Sequence, residues 1–343
     1  MVSVIIPNYN NARYLTDCIN SVRAQTFRDL ELVIIDDAST DDSWELILSL
    51  AAKDDRILCH RLDRNGGVGN ARNRGIEFSK GDFIMFLDAD DMLHPTAIEG
   101  MTTIQDATGA DMVVGNYTKV PGRFRIPDNA NFLPPTFSFD SYAEPDVFTG
   151  AIDNLALVTV WGKLIKRETI NGLRFRTDIY PYEDVEFMLR LYAKVQCGAI
   201  TCNMAIYYRS SATSVIADKN RDVSGDVIGV MNSFAAFVKT PDNGGEKYAA
   251  FVKKYAYMFL RLYIGNVMRK IQSRPGKMYA QYRKDLWRQL RTVARAVRKL
   301  LPTGSFNGIN ITFGHRVALC LFALGFIKSA GGAIALVFTD AKI

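Results

Sequence analysis

Short runs of β-branched and apolar residues, each closing on polar residues and followed by helical spacing, recur along the N-terminal part of the chain. Val2–Ile6, Leu30–Ile35, a run around Arg56–His60 and Asp82–Leu87 form the series. Leu15, Cys18, Ile19 and Val22 follow the first run at helical spacing, Trp44, Ile47, Leu48 and Ala51 follow the second, and Asn70–Ser79 follows the third. Strands alternating with helices at this pitch predict βαβ units and a mostly parallel sheet. Continuous apolar strands, rather than alternating ones, suit a sheet covered by helices on both faces.

The pattern breaks between Lys119 and Asp146 into Pro-, Asn- and aromatic-rich sequence, which predicts a long loop. Regular structure resumes near Val158, and Asp184–Val195 carries Val185, Met188, Leu189 and Tyr192 on one helical side. After Ser224 the chain reads as helical to near Pro302. The division expected is therefore an α/β domain over 1–220, with halves 1–105 and 106–220, and a helical region over 221–343.

With 48% apolar and 23% charged residues the composition is that of a folded globular protein, which excludes extended disorder. Five scattered cysteines without C-x-x-C spacing read as reduced thiols of a cytoplasmic chain, not as a disulfide framework or zinc site. Met1 runs straight into the first strand, so no signal peptide is expected.

Three clusters fall at strand ends: Pro7-Asn8-Tyr9-Asn10, Asp36-Asp37-Ala38-Ser39 and Asp88-Ala89-Asp90-Asp91. Open α/β sheets bind ligands outside the carboxyl ends of their strands. Acids gathered on one rim repel each other and invite a divalent cation, and Mg²⁺ or Mn²⁺ commonly bridges one or two carboxylates to a diphosphate. A single cluster would read as helix caps; three at successive strand ends favour the metal. Gly66-Gly67-Val68-Gly69-Asn70-Ala71-Arg72 is neither a dinucleotide fingerprint nor a P-loop, because Arg72 stands where the third glycine belongs and no Gly-Lys-Ser/Thr follows. It reads equally as a phosphate-facing helix start or a plain turn.

The ordered set Val2-Ser3-Val4-Ile5-Ile6-Pro7-Asn8-Tyr9-Asn10, Gln25-Thr26-Phe27, Asp36-Asp37-Ala38-Ser39-Thr40-Asp41, Asn65-Gly66-Gly67-Val68-Gly69-Asn70-Ala71-Arg72-Asn73-Arg74-Gly75 and Phe86-Leu87-Asp88-Ala89-Asp90-Asp91 resembles the signature of family 2 glycosyltransferases of the GT-A fold. Val160-Trp161-Gly162-Lys163 and Tyr182-Glu183-Asp184 resemble that family's acceptor-side segments, and the likeness runs over roughly residues 2–215. It implies inverting transfer from a UDP-sugar to a carbohydrate or lipid-linked acceptor, with Mn²⁺ or Mg²⁺ on the diphosphate. Pro7, Tyr9 and Asp37 then match uridine contacts, Arg72 a position near the ribose-diphosphate, Asp88 a sugar or ribose contact, Asp90 the metal ligand and Asp184 the general base. A histidine common in the family near Tyr207–Ser214 is replaced here by Ser211, which leaves Arg209 or Ser214 for the diphosphate. Trp161 reads equally as a sugar-stacking ring or a core residue, and Glu183 as an acceptor contact or a helix-start acid. Lys163 and Lys166 read as solvated. Absence of Gln-x-x-Arg-Trp argues for transfer of one or a few sugars. The enzymatic rival is a nucleotidyltransferase, disfavoured by Pro7-Asn8-Tyr9-Asn10; the other is an inactive sugar-nucleotide-binding or scaffold relative.

The net charge of +6 is unevenly distributed: fourteen Lys and Arg face a single acid, Asp285, between Lys253 and Lys299. Leu286, Leu290, Val293, Ala294 and Val297 trace one helical face with arginines mostly off it, which reads as a membrane-surface element. Val317–Ile327 is too short to span a bilayer alone, so the tail reads as interfacial, core-docked or an oligomer contact. Peripheral membrane contact through 253–338, at the cytoplasmic face of the plasma membrane, is the expectation. Nucleic acid fits poorly beside an acidic body.

Overall fold

The computed structural model describes residues 1–126, 139–142, 154–210 and 223–239, together with Val252, Tyr255, Ala256, Phe259, Tyr263 and Arg288. The chain divides into two compact units, one of Met1–Asp178 with Glu183–Ser214 and the other of Ile179–Tyr182 with Val215–Ile343.

In the first unit, β1 (Val2–Asn8) and β2 (Leu30–Asp36) are buried at every position. That is the consequence of apolar strands flanked on both sides in the sheet and covered on both faces. β3 (Ile57–Arg61) lies outside β2 at the edge and is only half-buried, and β4 (Phe83–Phe86) pairs with the other side of β1. All three pairings are parallel, with Asn8 opposite Asp36 and Ile5 opposite Phe86. The polar residues that follow β1, β2 and β4 are thereby delivered to one rim.

Helices α1 (Ala12–Arg23), α2 (Ser43–Ala51) and α3 (Val68–Phe78) fill the crossovers, and α1 buries Leu15, Cys18, Ile19 and Val22, the residues its spacing predicts. Gly67 precedes α3 at φ +84°, a conformation that favours glycine. Within α3, a Cβ on Gly75 would sit 2.2 Å from Ile5 Cγ2, so glycine lets the helix lie directly on β1.

The second half of this unit contains β5 (Met92–Leu93), α4 (Ala97–Thr108), β6 (Met112–Pro121), β7 (Phe139–Tyr142), α5 (Asn154–Val158), β8 (Lys163–Lys166), α6 (Arg167–Ile170), α7 (Glu183–Tyr192) and β9 (Gly198–Ser210). Among the described residues the sheet has nine strands in the order β3-β2-β1-β4-β8-β6-β9-β5, with β7 on β9. Antiparallel β8 joins the parallel half to β6. Within the loop expected over Lys119–Asp146, Lys119–Pro121 instead completes β6 and Phe139–Tyr142 forms β7, while 127–138 and 143–146 lie outside the described residues. Cross-strand pairing with β9 overrides the local loop-like composition at both places.

In the second unit, α8 (Ser224–Lys239) buries Val227, Val230, Met231 and Phe234, and Phe234 meets Tyr255 and Phe259 at ring-centroid distances of 5.6 and 6.2 Å. The basic amphipathic stretch and apolar tail expected over 253–338 lie outside the described residues, apart from isolated positions. Among the described residues, no helix is long and apolar enough to cross a membrane.

Candidate active site

At the carboxyl end of β4 the chain turns tightly, the Asp91 amide donating to the Asp88 carbonyl at 3.0 Å, and three carboxylates crowd together. Burial, and then the neighbouring Asp88, pushes the Asp90 carboxyl up to about 6. Asp91 is pushed well above the usual carboxylate range by burial, then by Asp90 and Asp88, although its Oδ1 accepts the Arg209 amide at 2.7 Å. Asp91 Oδ2 has no hydrogen-bond partner among the described residues.

The opposing charge comes from α3. Arg72 is 4% exposed, donates from Nη1 to Glu183 Oε1 at 2.7 Å and from Nη2 to Asp88 Oδ1 at 2.9 Å, and lies over the Phe175 ring at 5.4 Å. One guanidinium therefore ties the acid turn after β4 to the first residue of α7. Asp184 follows Glu183 and is half-buried, with its Oδ1 accepting the Val185 amide at 2.8 Å. A helix start offers an acid only a modest electrostatic benefit. Here burial and then Glu183 outweigh that benefit and the opposing Arg72, and they push the Asp184 carboxyl up to about 8.

On the β1–β2 side of the rim, Pro7 is buried within β1 and Tyr9 is 45% exposed. Asp37 is buried and accepts the Gly66 and Gly67 amides at 2.8 and 2.7 Å, so it shapes the glycine turn into α3. Burial nevertheless raises its carboxyl from the ordinary value.

Arg209 and Lys163 sit differently from their sequence expectation, and Trp161 takes the core alternative of its two readings. Arg209 is 2% exposed and donates through Nη2 to Asp17 Oδ2 at 3.3 Å and to the Phe124 carbonyl at 3.1 Å, so it presents no guanidinium to a diphosphate. Its place is behind the acid turn, holding Asp91. Trp161 is 4% exposed, stacked at 5.5 Å on Tyr208 and edge-on at 5.2 Å to Tyr117, which makes it core. Lys163 is not solvated: it is 0% exposed and bonded to three backbone carbonyls. Glu183 is buried against Arg72, an ion pair between groups far apart in sequence that the local pattern does not signal. Ser211 and Ser214 lie outside the described residues.

Asp88 is paired with Arg72, while Asp90 and Asp91 make no ion pair among the described residues, and carboxylate oxygens are the kind of ligand a hard divalent cation takes. Among the described residues, no group of three or more His, Cys, Asp and Glu is arranged to hold a metal. An ion here would take one or two protein carboxylates and complete its shell with ligand oxygens.

The family model "Glycosyl transferase family 2" matches residues 3–157, which contain the rim clusters and the glycine turn. An uncharacterized glycosyltransferase of Haemophilus influenzae is 30% identical over 257 residues, covering 72% of this chain and 98% of that protein. The chain belongs to glycosyltransferase family 2. Another relative, the Escherichia coli UDP-Glc:alpha-D-GlcNAc-diphosphoundecaprenol beta-1,3-glucosyltransferase WfaP, is 30% identical over 229 residues, covering 65% of this chain and 82% of that protein. Among solved structures, S. aureus TarS 1–349 in complex with UDP superposes with a TM-score of 0.67 at 19% identity, covering 99% of this chain and 90% of that one. The mixed, mostly parallel sheet with flanking helices is the GT-A fold, and this family 2 member is a glycosyltransferase enzyme.

Proposed function

We propose that this glycosyltransferase moves a sugar from a UDP-sugar, with inversion, to a hydroxyl of a glycan or lipid-linked acceptor during bacterial surface polysaccharide assembly at the cytoplasmic face of the membrane. The observation that carries the reading is Arg72, which joins Asp88 on the donor rim to Glu183 beside Asp184. Donor-side acids and a base-side acid thus belong to one charge network. Support for the donor comes from the UDP-Glc in the name of WfaP and from TarS solved with UDP and with UDP-GlcNAc. The diphosphoundecaprenol in the name of WfaP supports a lipid-linked acceptor.

In this reading Tyr9 stacks on the uracil ring, while Pro7 and Asp37 shape its seat. Asp88 contacts the sugar or ribose, and Asp90 holds Mn²⁺ or Mg²⁺. When bound, the ion supplies charge neutralisation for the departing diphosphate. Asp184 takes the proton of the acceptor hydroxyl as its oxygen bonds to the anomeric carbon. The bond to the diphosphate breaks, and its electron pair leaves on the phosphate oxygen. A carboxyl poised near neutral pH is suited to this exchange because it accepts the proton readily and returns it to water.

Calorimetric titration of UDP with and without Mn²⁺, on wild type and Asp90→Ala, tests the donor site. Binding that requires both the ion and Asp90 is expected. UDP that fails to bind wild type in the presence of Mn²⁺ would exclude a UDP-sugar donor. Asp184→Ala should abolish transfer while leaving UDP affinity unchanged; equal loss of both would sink its role as base.

A further inference from the structure

A cavity of about 630 Å³ opens in the first unit where β4 begins and β8 ends, with Phe83 opposite Lys166 in the antiparallel register. The acid turn follows the other end of β4, roughly 13 Å away along a four-residue strand. The cavity is therefore separate from the candidate active site. Its volume falls in the range of small-ligand sites.

The lining is divided in character. Ile76 of α3, Ile84 of β4 and Ile170 of α6 are buried and, with half-buried Phe83, supply an apolar part. Lys166, Arg167 and Arg174 bring three cations to the same space. Arg167 donates from Nε to the Gly81 carbonyl at 2.5 Å and from Nη2 to Ser79 Oγ at 3.0 Å. Among the described residues it makes no ion pair, and its Nη1 makes no hydrogen bond. The carboxylates nearest the other two cations are loosely held: Asp111 and Glu168 stand 3.6 and 3.9 Å from Lys166 Nζ, and Glu77 stands 3.8 Å from Arg174 Nε. Asp82 and Glu168, the acids of the lining, have side chains 78% and 79% exposed, so water screens them.

The walls are fixed without a ligand. Asn73 of α3 exchanges hydrogen bonds of 2.9 and 2.7 Å with the Phe175 backbone, and Arg190 holds the Arg174 carbonyl at 2.6 Å. The bonds of Arg167 tie α6 to the turn between α3 and β4.

We propose that this cavity binds an amphiphilic phosphate, its head group on Arg167 and Arg174 with Lys166 adding charge, and its first apolar carbons against Ile76, Phe83, Ile84 and Ile170. Arginine forks match phosphate oxygens, and a dianion suits three gathered cations better than a single carboxylate does. A lipid phosphate and free inorganic phosphate share the head group; the apolar part separates them. The binding is independent of the donor and of the role of Asp184.

Full-length protein labelled with ¹³C at isoleucine Cδ1 is titrated by NMR with geranyl phosphate, inorganic phosphate and geraniol. The signals of Ile76, Ile84 and Ile170, and of Ile6 and Ile34 in the rim strands, are assigned by their loss in single valine variants. Geranyl phosphate should shift Ile76, Ile84 and Ile170. Shifts at Ile6 and Ile34 instead, or none, would overturn the proposal. Affinity should fall about tenfold in Arg167→Gln and in Arg174→Gln, the loss expected for one charge-assisted hydrogen bond. Arg174 is half exposed and bonds only its neighbour's carbonyl, so its variant stays informative if Arg167→Gln fails to fold. Unchanged affinity in Arg174→Gln would overturn the head-group assignment and the proposal with it. Inorganic phosphate should bind at least about tenfold more weakly than geranyl phosphate, because it buries no apolar carbon. Equal affinity would reduce the cavity to a free-anion site and overturn the amphiphile. Geraniol that binds as tightly as geranyl phosphate would overturn the part given to the cations, and so the proposal.

Discussion

Replacing Asp184 by asparagine should make the protein more stable at alkaline pH. The folded chain pushes this carboxyl up to about 8, chiefly by burial and then through Glu183. In the unfolded chain an aspartate titrates near ~3.9. Below about pH 4 both states hold the proton and the residue imposes no penalty. As pH rises towards 8 the unfolded state releases its proton first, so folding stability falls until the folded group ionises too. A displacement of about four pH units, at about 1.4 kcal/mol each, sets a ceiling of roughly 5 kcal/mol. Water reaching a half-buried carboxylate reduces this to about 2–3 kcal/mol. Asparagine cannot ionise, and its side-chain oxygen still accepts the Val185 amide. Thermal melts in EDTA and without nucleotide should show Asp184→Asn about 5–10 °C above wild type at pH 8, with the two converging near pH 4. A variant that gains nothing between pH 4 and pH 8 would refute the reasoning.

Arg72→Met should cost about 3–5 kcal/mol in urea unfolding, because Glu183 is left buried without its counter-charge. Adding Glu183→Gln should recover part of that loss; no recovery would mean that the pairing is not what the arginine contributes. Gly75→Ala should lower the melting temperature despite alanine's helix propensity, since a Cβ 2.2 Å from Ile5 Cγ2 overpacks the α3–β1 contact at a cost of about 1–3 kcal/mol. Combining it with Ile5→Ala, which removes that methyl, should cost less than the sum of the two single changes. Tyr9→Ala should weaken UDP binding about tenfold through lost stacking and leave the melting temperature unchanged, as the ring is 45% exposed.

The parallel half of the sheet is legible because its signals are local. β1 and β2 are apolar runs whose every residue is buried, and the helical spacing of Leu15, Cys18, Ile19 and Val22 maps directly onto the buried face of α1. The acids at the strand ends follow from the same local logic. The environment of each site residue is not local. Arg72 owes its role to Asp88, 16 residues away, and Glu183, 111 residues away, so nothing beside it in sequence marks it as buried. Trp161 leaves its stacking alternative because Tyr117 and Tyr208 arrive from β6 and β9. Lys163 follows Trp161-Gly162 and reads as surface until the carbonyls of α5 and the following turn close around it. Even β7 depends on an edge of β9 being available to pair.

The separations that hide these pairings also set an order of events for a chain leaving the ribosome. β1 can meet β2 and β4 as soon as those strands have emerged. The open edge of β4 must wait for Lys163–Lys166, which pairs there as β8. Arg72 then waits for Glu183 to complete its bridge. The nascent domain therefore carries its acid turn and a half-compensated arginine through much of synthesis, and the candidate site closes among the last parts of the sheet domain. A fragment ending at residue 157, where the family match stops, would retain the rim acids but lack β8, Lys163 and the carboxylates of Glu183 and Asp184.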